Sequence, residues 1–136
     1  MKYPAVRFTL EQVDAIARGF AGAVEQFQIN LYACAILWDH VHIVAERHQR
    51  ATIEYLVGAL KRAASRQLTA ESVHPMSDYR RADGSIPTPW VEGGWNRFLN
   101  SPREIIDAID YVNANPQKHG MKPQYWTFVQ PYRPAV

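Results

Sequence analysis

A chain of 136 residues, 47% of them hydrophobic and 21% charged, is long enough to bury one core and reads as a single domain spanning residues 1–136. It holds no apolar run of the roughly 18 residues that would suggest a membrane span, and the formal net charge of +2 argues for no particular partner. The single cysteine, Cys34, sits in an apolar stretch as a small buried hydrophobe, and the N-terminal MKYPAVRFT has no signal-peptide core, so a cytoplasmic location is expected.

In chain order, Thr9-Leu10-Glu11-Gln12 has the form of a capping box, with Phe8 and Val13 placed to staple the turn. The helix that follows carries an apolar stripe of Leu10, Val13, Ile16, Ala17, Phe20, Val24 and Phe27 to about Gln26, and reads as scaffold. Residues 29–37 predict a buried strand, and a tight turn near Trp38-Asp39 leads into a second strand that starts at His40. Thr52 caps a second helix, with Ile53, Leu56, Val57, Leu60, Ala64 and Leu68 on its inner face. Seven basic and three acidic residues fall between positions 47 and 81, and Lys61, Arg62 and Arg66 share this helix's outer face. That face is either ordinary solvated surface or a stripe for phosphates.

From Ser72 to Gly94 turn residues dominate, so a long loop is expected, with Trp95 pinned to the core and Trp90 either pinned or free to stack on bases. Ser101-Pro102-Arg103-Glu104 then sets a helix start, with Ser as N-cap, Pro at the first position and Glu at the third. Ile105, Ile106, Ile109 and Val112 define its buried side, while Tyr111 and Asn115, four residues apart, can face one site. Pro116 is expected to leave Asn115 at a frayed end. The tail, with Pro123, Trp126, Phe128, Pro131 and Tyr132, is expected to wrap back in extended form.

The chemistry centres on Ile36-Leu37-Trp38-Asp39-His40-Val41-His42-Ile43-Val44. Strand alternation puts His40 and His42 on one face, close enough for both imidazoles to meet one metal ion, although the same spacing also suits a polar strand face with no ligand. Asp39 is placed either to orient an imidazole or only to make the turn. Some 70 residues later comes Tyr111-Val112-Asn113-Ala114-Asn115-Pro116-Gln117-Lys118-His119-Gly120.

The two motifs, in that order, resemble the HUH single-tyrosine transposases, and more narrowly the branch associated with REP palindromes, from about Phe8 to Tyr132. Trp38 stands where relatives usually have Pro, Gln117 where they usually have Val, and only residues 1–8 precede the first cap, where relatives usually have a strand. The resemblance implies an α+β domain with a ferredoxin-like antiparallel sheet, helices packed on one face and the tyrosine helix near the C-terminus; either Tyr3 to Arg7 serves as the N-terminal strand or the sheet lacks it. It implies a metal-dependent single-stranded DNA endonuclease and strand transferase with Tyr111 as nucleophile. His40, His42 and Asn115 would hold Mg²⁺ or Mn²⁺, and Lys118 and His119 would contact DNA, joined by Lys61, Arg62 and Arg66 where their clustered helix face serves as the phosphate stripe. A homodimer acting on hairpin or palindromic DNA is expected. The rival readings are a domesticated or decayed hairpin-binding protein that does not cleave, and a fold relative with another metal-dependent hydrolase activity.

Overall fold

A computed structural model describes residues 6–90 and 101–134, so Trp95 and most of the Tyr3–Arg7 segment lie outside the described residues. The elements run α1 (Leu10–Phe27), β1 (Leu31–Ile36), β2 (Val41–Ala45), α2 (Ile53–Ala70) and α3 (Pro102–Lys118), with a short 3-10 turn at Ser77–Tyr79. The class is the α+β class that the sequence predicts, with helices packed on an antiparallel sheet.

The first helix begins where its capping box predicts: Gln12 N donates to Thr9 Oγ1 at 3.2 Å and Thr9 N donates to Gln12 Oε1 at 2.9 Å. Phe8 and Val13, the staple residues, are both buried. Leu10 departs from the expected stripe, being 64% exposed. The face that α1 buries is turned toward its small residues, with Ala15, Gly19 and Ala23 packed away. Gly19 shows why: a Cβ there would stand 2.7 Å from Ala64 Cα and 2.8 Å from the Ala63 carbonyl, so α1 and α2 approach backbone to backbone. Gln67 and Arg18 both donate to the Glu71 carboxylate, tying the two helices at their edge.

β1 and β2 form a hairpin whose two-residue turn, Trp38-Asp39, is closed by Leu37 N donating to His40 O at 2.8 Å. Neither turn residue has positive φ, so the turn is not one of the mirror-image types that best match strand twist. A bulge between Leu31 and Ala33 leaves Tyr32 as the extra residue. Leu31, Ala33, Cys34, Ala35 and Ile36 are all buried, and burial pushes the Cys34 thiol far up, which leaves it inert.

The tail does wrap back. The Gln124 carboxamide grips the Ile36 backbone with two bonds of 2.8 Å, from Ile36 N to Oε1 and from Nε2 to Ile36 O. Farther along, Val129 bridges Leu31 and Gln130 N donates to Leu31 O at 2.8 Å. The tail therefore runs along the edge of β1 that β2 does not use. In the long loop Trp90 is pinned, its indole N–H shared between Lys61 O and Ser65 Oγ at 3.2 Å each and its ring edge-on to Phe8. No helix of the described residues is long and apolar enough to cross a membrane.

Candidate metal and nucleophile site

His40 precedes β2 by one residue and His42 lies inside it, yet the two rings share one side of the hairpin, with centroids 4.7 Å apart. Their Nε2 atoms are 3.0 Å apart. Asp39 does both jobs left open by the sequence: it forms the turn and also holds His40 Nδ1 at 2.5 Å from its Oδ1. A proton on Nδ1 leaves the Nε2 lone pair of His40 directed at His42. The bond from His40 holds the Asp39 carboxyl below the usual carboxylate range. Burial above all, and then the neighbouring His40 and His119, lowers the His42 pKa and favours the neutral imidazole, the form that ligates metals.

Tyr111 comes to this pair from α3, which packs on both strands. Its ring centroid is 6.1 Å from that of His42, the side chain is 55% exposed, and Lys118 Nζ lies 5.0 Å from the ring centroid. His119 adds a third imidazole 6.0 Å from His40, centroid to centroid. The helix end is held in place by Trp38, whose indole N–H donates to His119 O at 2.9 Å. Trp38 is itself flanked by Arg7, whose guanidinium lies 5.1 Å from the ring centroid.

Asn115 requires a correction. It is not at a frayed end but inside α3 and 3% exposed, because the helix continues through Pro116 to Lys118. Pro116 deprives only one carbonyl of its partner, and its buried ring offsets that loss. The last turn then closes in a Schellman motif: Met121 N donates to Pro116 O at 2.8 Å and Gly120 N to Gln117 O at 3.2 Å, with Gly120 left-handed at φ 75. Asn115 Nδ2 donates to Tyr111 O at 3.1 Å, one helical turn back along α3.

The structure thus gathers His40, His42, Tyr111, Lys118 and His119, with Asn115 one turn behind the tyrosine. Lys61, Arg62 and Arg66 are elsewhere, on α2, which packs chiefly on α1. Of these, Lys61 is half-buried, while Arg62 and Arg66 are exposed. No sequence signal announces the Trp38 to His119 bond, since an indole in a turn carries no spacing rule.

No group of three His, Cys, Asp or Glu side chains suited to a metal is found among the described residues, so any ion here would rest on two imidazoles completed by neutral or substrate oxygens. The imidazoles fit that role. Two nitrogens 3.0 Å apart match adjacent corners of an octahedron whose bonds are about 2.1 Å.

Residues 1–82 match the family model described as Transposase IS200 like, a span that includes both histidines and stops before α3. No curated protein matches the chain, and no solved structure does. With more than half its length matched, the chain belongs to the IS200-like, single-tyrosine transposases, a family of DNA-processing proteins.

Proposed function

We propose that the chain is a metal-dependent single-stranded DNA transesterase of the REP-associated type, with Tyr111 as nucleophile. The observation that carries this reading is the meeting of the Tyr111 and His42 rings at 6.1 Å beside a His40 ring 4.7 Å from His42, from two elements distant in sequence. In the reaction the Tyr111 phenol oxygen bonds to phosphorus, the bond from phosphorus to the 3′ oxygen breaks, and that oxygen leaves as a hydroxyl with the proton. The 5′ phosphate stays on the tyrosine, so the reverse step rejoins DNA with no nucleotide cofactor.

An ordinary phenol, with a pKa of about 10, is a weak nucleophile at neutral pH. A bound Mg²⁺ or Mn²⁺ would supply Lewis-acid polarisation of the scissile phosphate. His40 and His42 would hold it, with the Asn115 amide oxygen as the third protein ligand. Lys118, beside the phenol, would offer a positive charge to the phosphate that Tyr111 attacks, and His119, 6.0 Å from His40 between ring centroids, would contact the same strand. Lys61, Arg62 and Arg66 would meet phosphates farther along the DNA.

The proposal includes a homodimer acting on hairpin DNA. Its support is that β2 is an edge strand among the described residues, and open edges recruit a second chain. Labelled single-stranded hairpins incubated with Mn²⁺ test the chemistry directly. A denaturant-resistant protein-DNA adduct is expected from the chain and none from Tyr111→Phe, whose hairpin affinity should stay within a few-fold; an adduct that survives Tyr111→Phe refutes the assignment.

A further inference from the structure

Just before α1 the chain passes over the hairpin turn that carries the histidines. Phe8 is 2% exposed and its N–H donates to Trp38 O at 2.5 Å, so the backbone beside Arg7 is fixed to that turn. The Arg7 side chain is exposed, and no hydrogen bond or ion pair engages its guanidinium among the described residues. It lies instead against the Trp38 ring, 5.1 Å from the centroid. An aromatic face attracts a guanidinium and leaves the N–H groups of its planar fork free for an oxyanion. The indole is held in turn, since its own N–H is engaged by His119 O. Trp38 stands where relatives usually have Pro, which offers no π face, so the pairing is a feature of this chain.

The contacts also give the site a direction. Tyr111 meets the histidine pair at His42, with ring centroids 6.1 Å apart, on the strand side. Trp38 lies at the turn and holds His119, whose ring is 6.0 Å from that of His40. Arg7 is therefore on the turn side of the pair and Tyr111 on the strand side. In a displacement at phosphorus the attacking and leaving oxygens stand roughly in line, on opposite sides of the phosphorus. With the attack coming from Tyr111, the leaving 3′ oxygen and its nucleotide point toward the turn.

We propose that Arg7, carried on Trp38, clamps the DNA phosphate that lies next to the cut on the side of the leaving 3′ oxygen. The inference deepens the transesterase reading and rests on it. Arg7 holds the freed strand beside the adduct, where its 3′ hydroxyl oxygen can bond again to phosphorus while the Tyr111 oxygen leaves and takes the proton. A strand without that hold escapes, and the adduct persists. The clamp therefore favours rejoining over the release of broken DNA.

The test uses the full chain carrying Tyr111→Phe, so binding is read whether or not the wild-type chain cleaves. Its probes are DNA hairpins with a single-stranded extension in which one phosphate at a time is replaced by an uncharged methylphosphonate. On unmodified DNA, Arg7→Ala should weaken binding about tenfold, as expected for one charged hydrogen bond. It should also flatten the plot of log K against log salt by about 0.7, one single-strand contact. At one position alone the methylphosphonate should weaken the parent chain and leave Arg7→Ala unaffected, the non-additivity of two groups in contact. Arg7 is exposed, and equal melting temperatures would verify folding. Additive losses at every position overturn the proposal, whatever becomes of the transesterase reading. That reading is judged separately, by whether the wild-type chain forms the adduct, which also locates the cut. A coupled position in the strand that stays on Tyr111 overturns the assignment to the leaving strand, as does an unaltered ratio of rejoining to cleavage in Arg7→Ala.

Discussion

His40 owes its chemistry to the residue before it. With Asp39 on Nδ1, the ring turns Nε2 toward His42 and holds one tautomer. Asp39→Ala should leave both imidazoles present and lower Mn²⁺ affinity by about 10- to 100-fold, the usual effect of losing a ligand's partner. His42→Ala should cost more, and wild-type Mn²⁺ titration in that variant would refute its role as a ligand. The same residue sets a pH dependence. His42 and the buried His74 both have their pKa lowered, chiefly by burial, so the unfolded chain binds protons more readily. Their contribution to stability is complete above the unfolded value of about 6.5 and is lost as pH falls through the lower folded values. Denaturant midpoints measured from pH 8 to pH 5 should drop below about pH 6.5. The drop should shrink in His74→Phe, and a flat profile would contradict the burial argument. At this scale the pairing of the two histidines with Tyr111 was legible only through the resemblance of the two motifs together, since a bare His-x-His or a lone helix tyrosine is a weak signal. The surroundings of Asn115 were not: a proline at the next position argues for a helix end, and the buried Pro116 ring with the Schellman closure overrides that local rule.

Elements whose signals are local were legible almost residue by residue. Thr9, Thr52 and Ser101 cap α1, α2 and α3 through side-chain bonds to the residues three ahead, as their sequences predict. The turn at Trp38-Asp39 also falls where expected. What the sequence hid was contact between elements: the Gly19 crossing, the Gln124 grip on Ile36 and the Trp90 anchor on α2 join positions 25 to 88 residues apart, with no periodicity to announce them. Gly19→Ala should destabilise the fold by about 1–3 kcal/mol, since the new methyl meets Ala64 backbone rather than a flexible side chain. Gly120→Ala has open space around it but forces a left-handed φ of 75, and should cost about 1–2 kcal/mol. Amide exchange separates the two: only Gly120→Ala should speed exchange selectively at the end of α3, whereas Gly19→Ala should speed it throughout α1 and α2.

For the whole molecule, the tail decides which surface a second chain can use. Gln124 and Gln130 occupy backbone groups at both ends of the outer edge of β1, so a partner that extends the sheet would add at β2. Sedimentation at micromolar concentration with an Ile43→Pro variant tests this: a proline at that edge should shift a dimer toward monomer, and an unchanged dimer would place the contact elsewhere. The bond from Trp38 to His119 has a further consequence. It fastens the end of the tyrosine helix to the hairpin of its own chain, so each polypeptide would keep a complete reactive centre even inside a pair. Two defective chains, one Tyr111→Phe and the other His42→Ala, should therefore fail to complement each other when mixed. Adduct formation in the mixture would mean that the helix changes places between subunits, and Trp38→Phe, which keeps the ring and loses only the N–H, should then make that exchange faster.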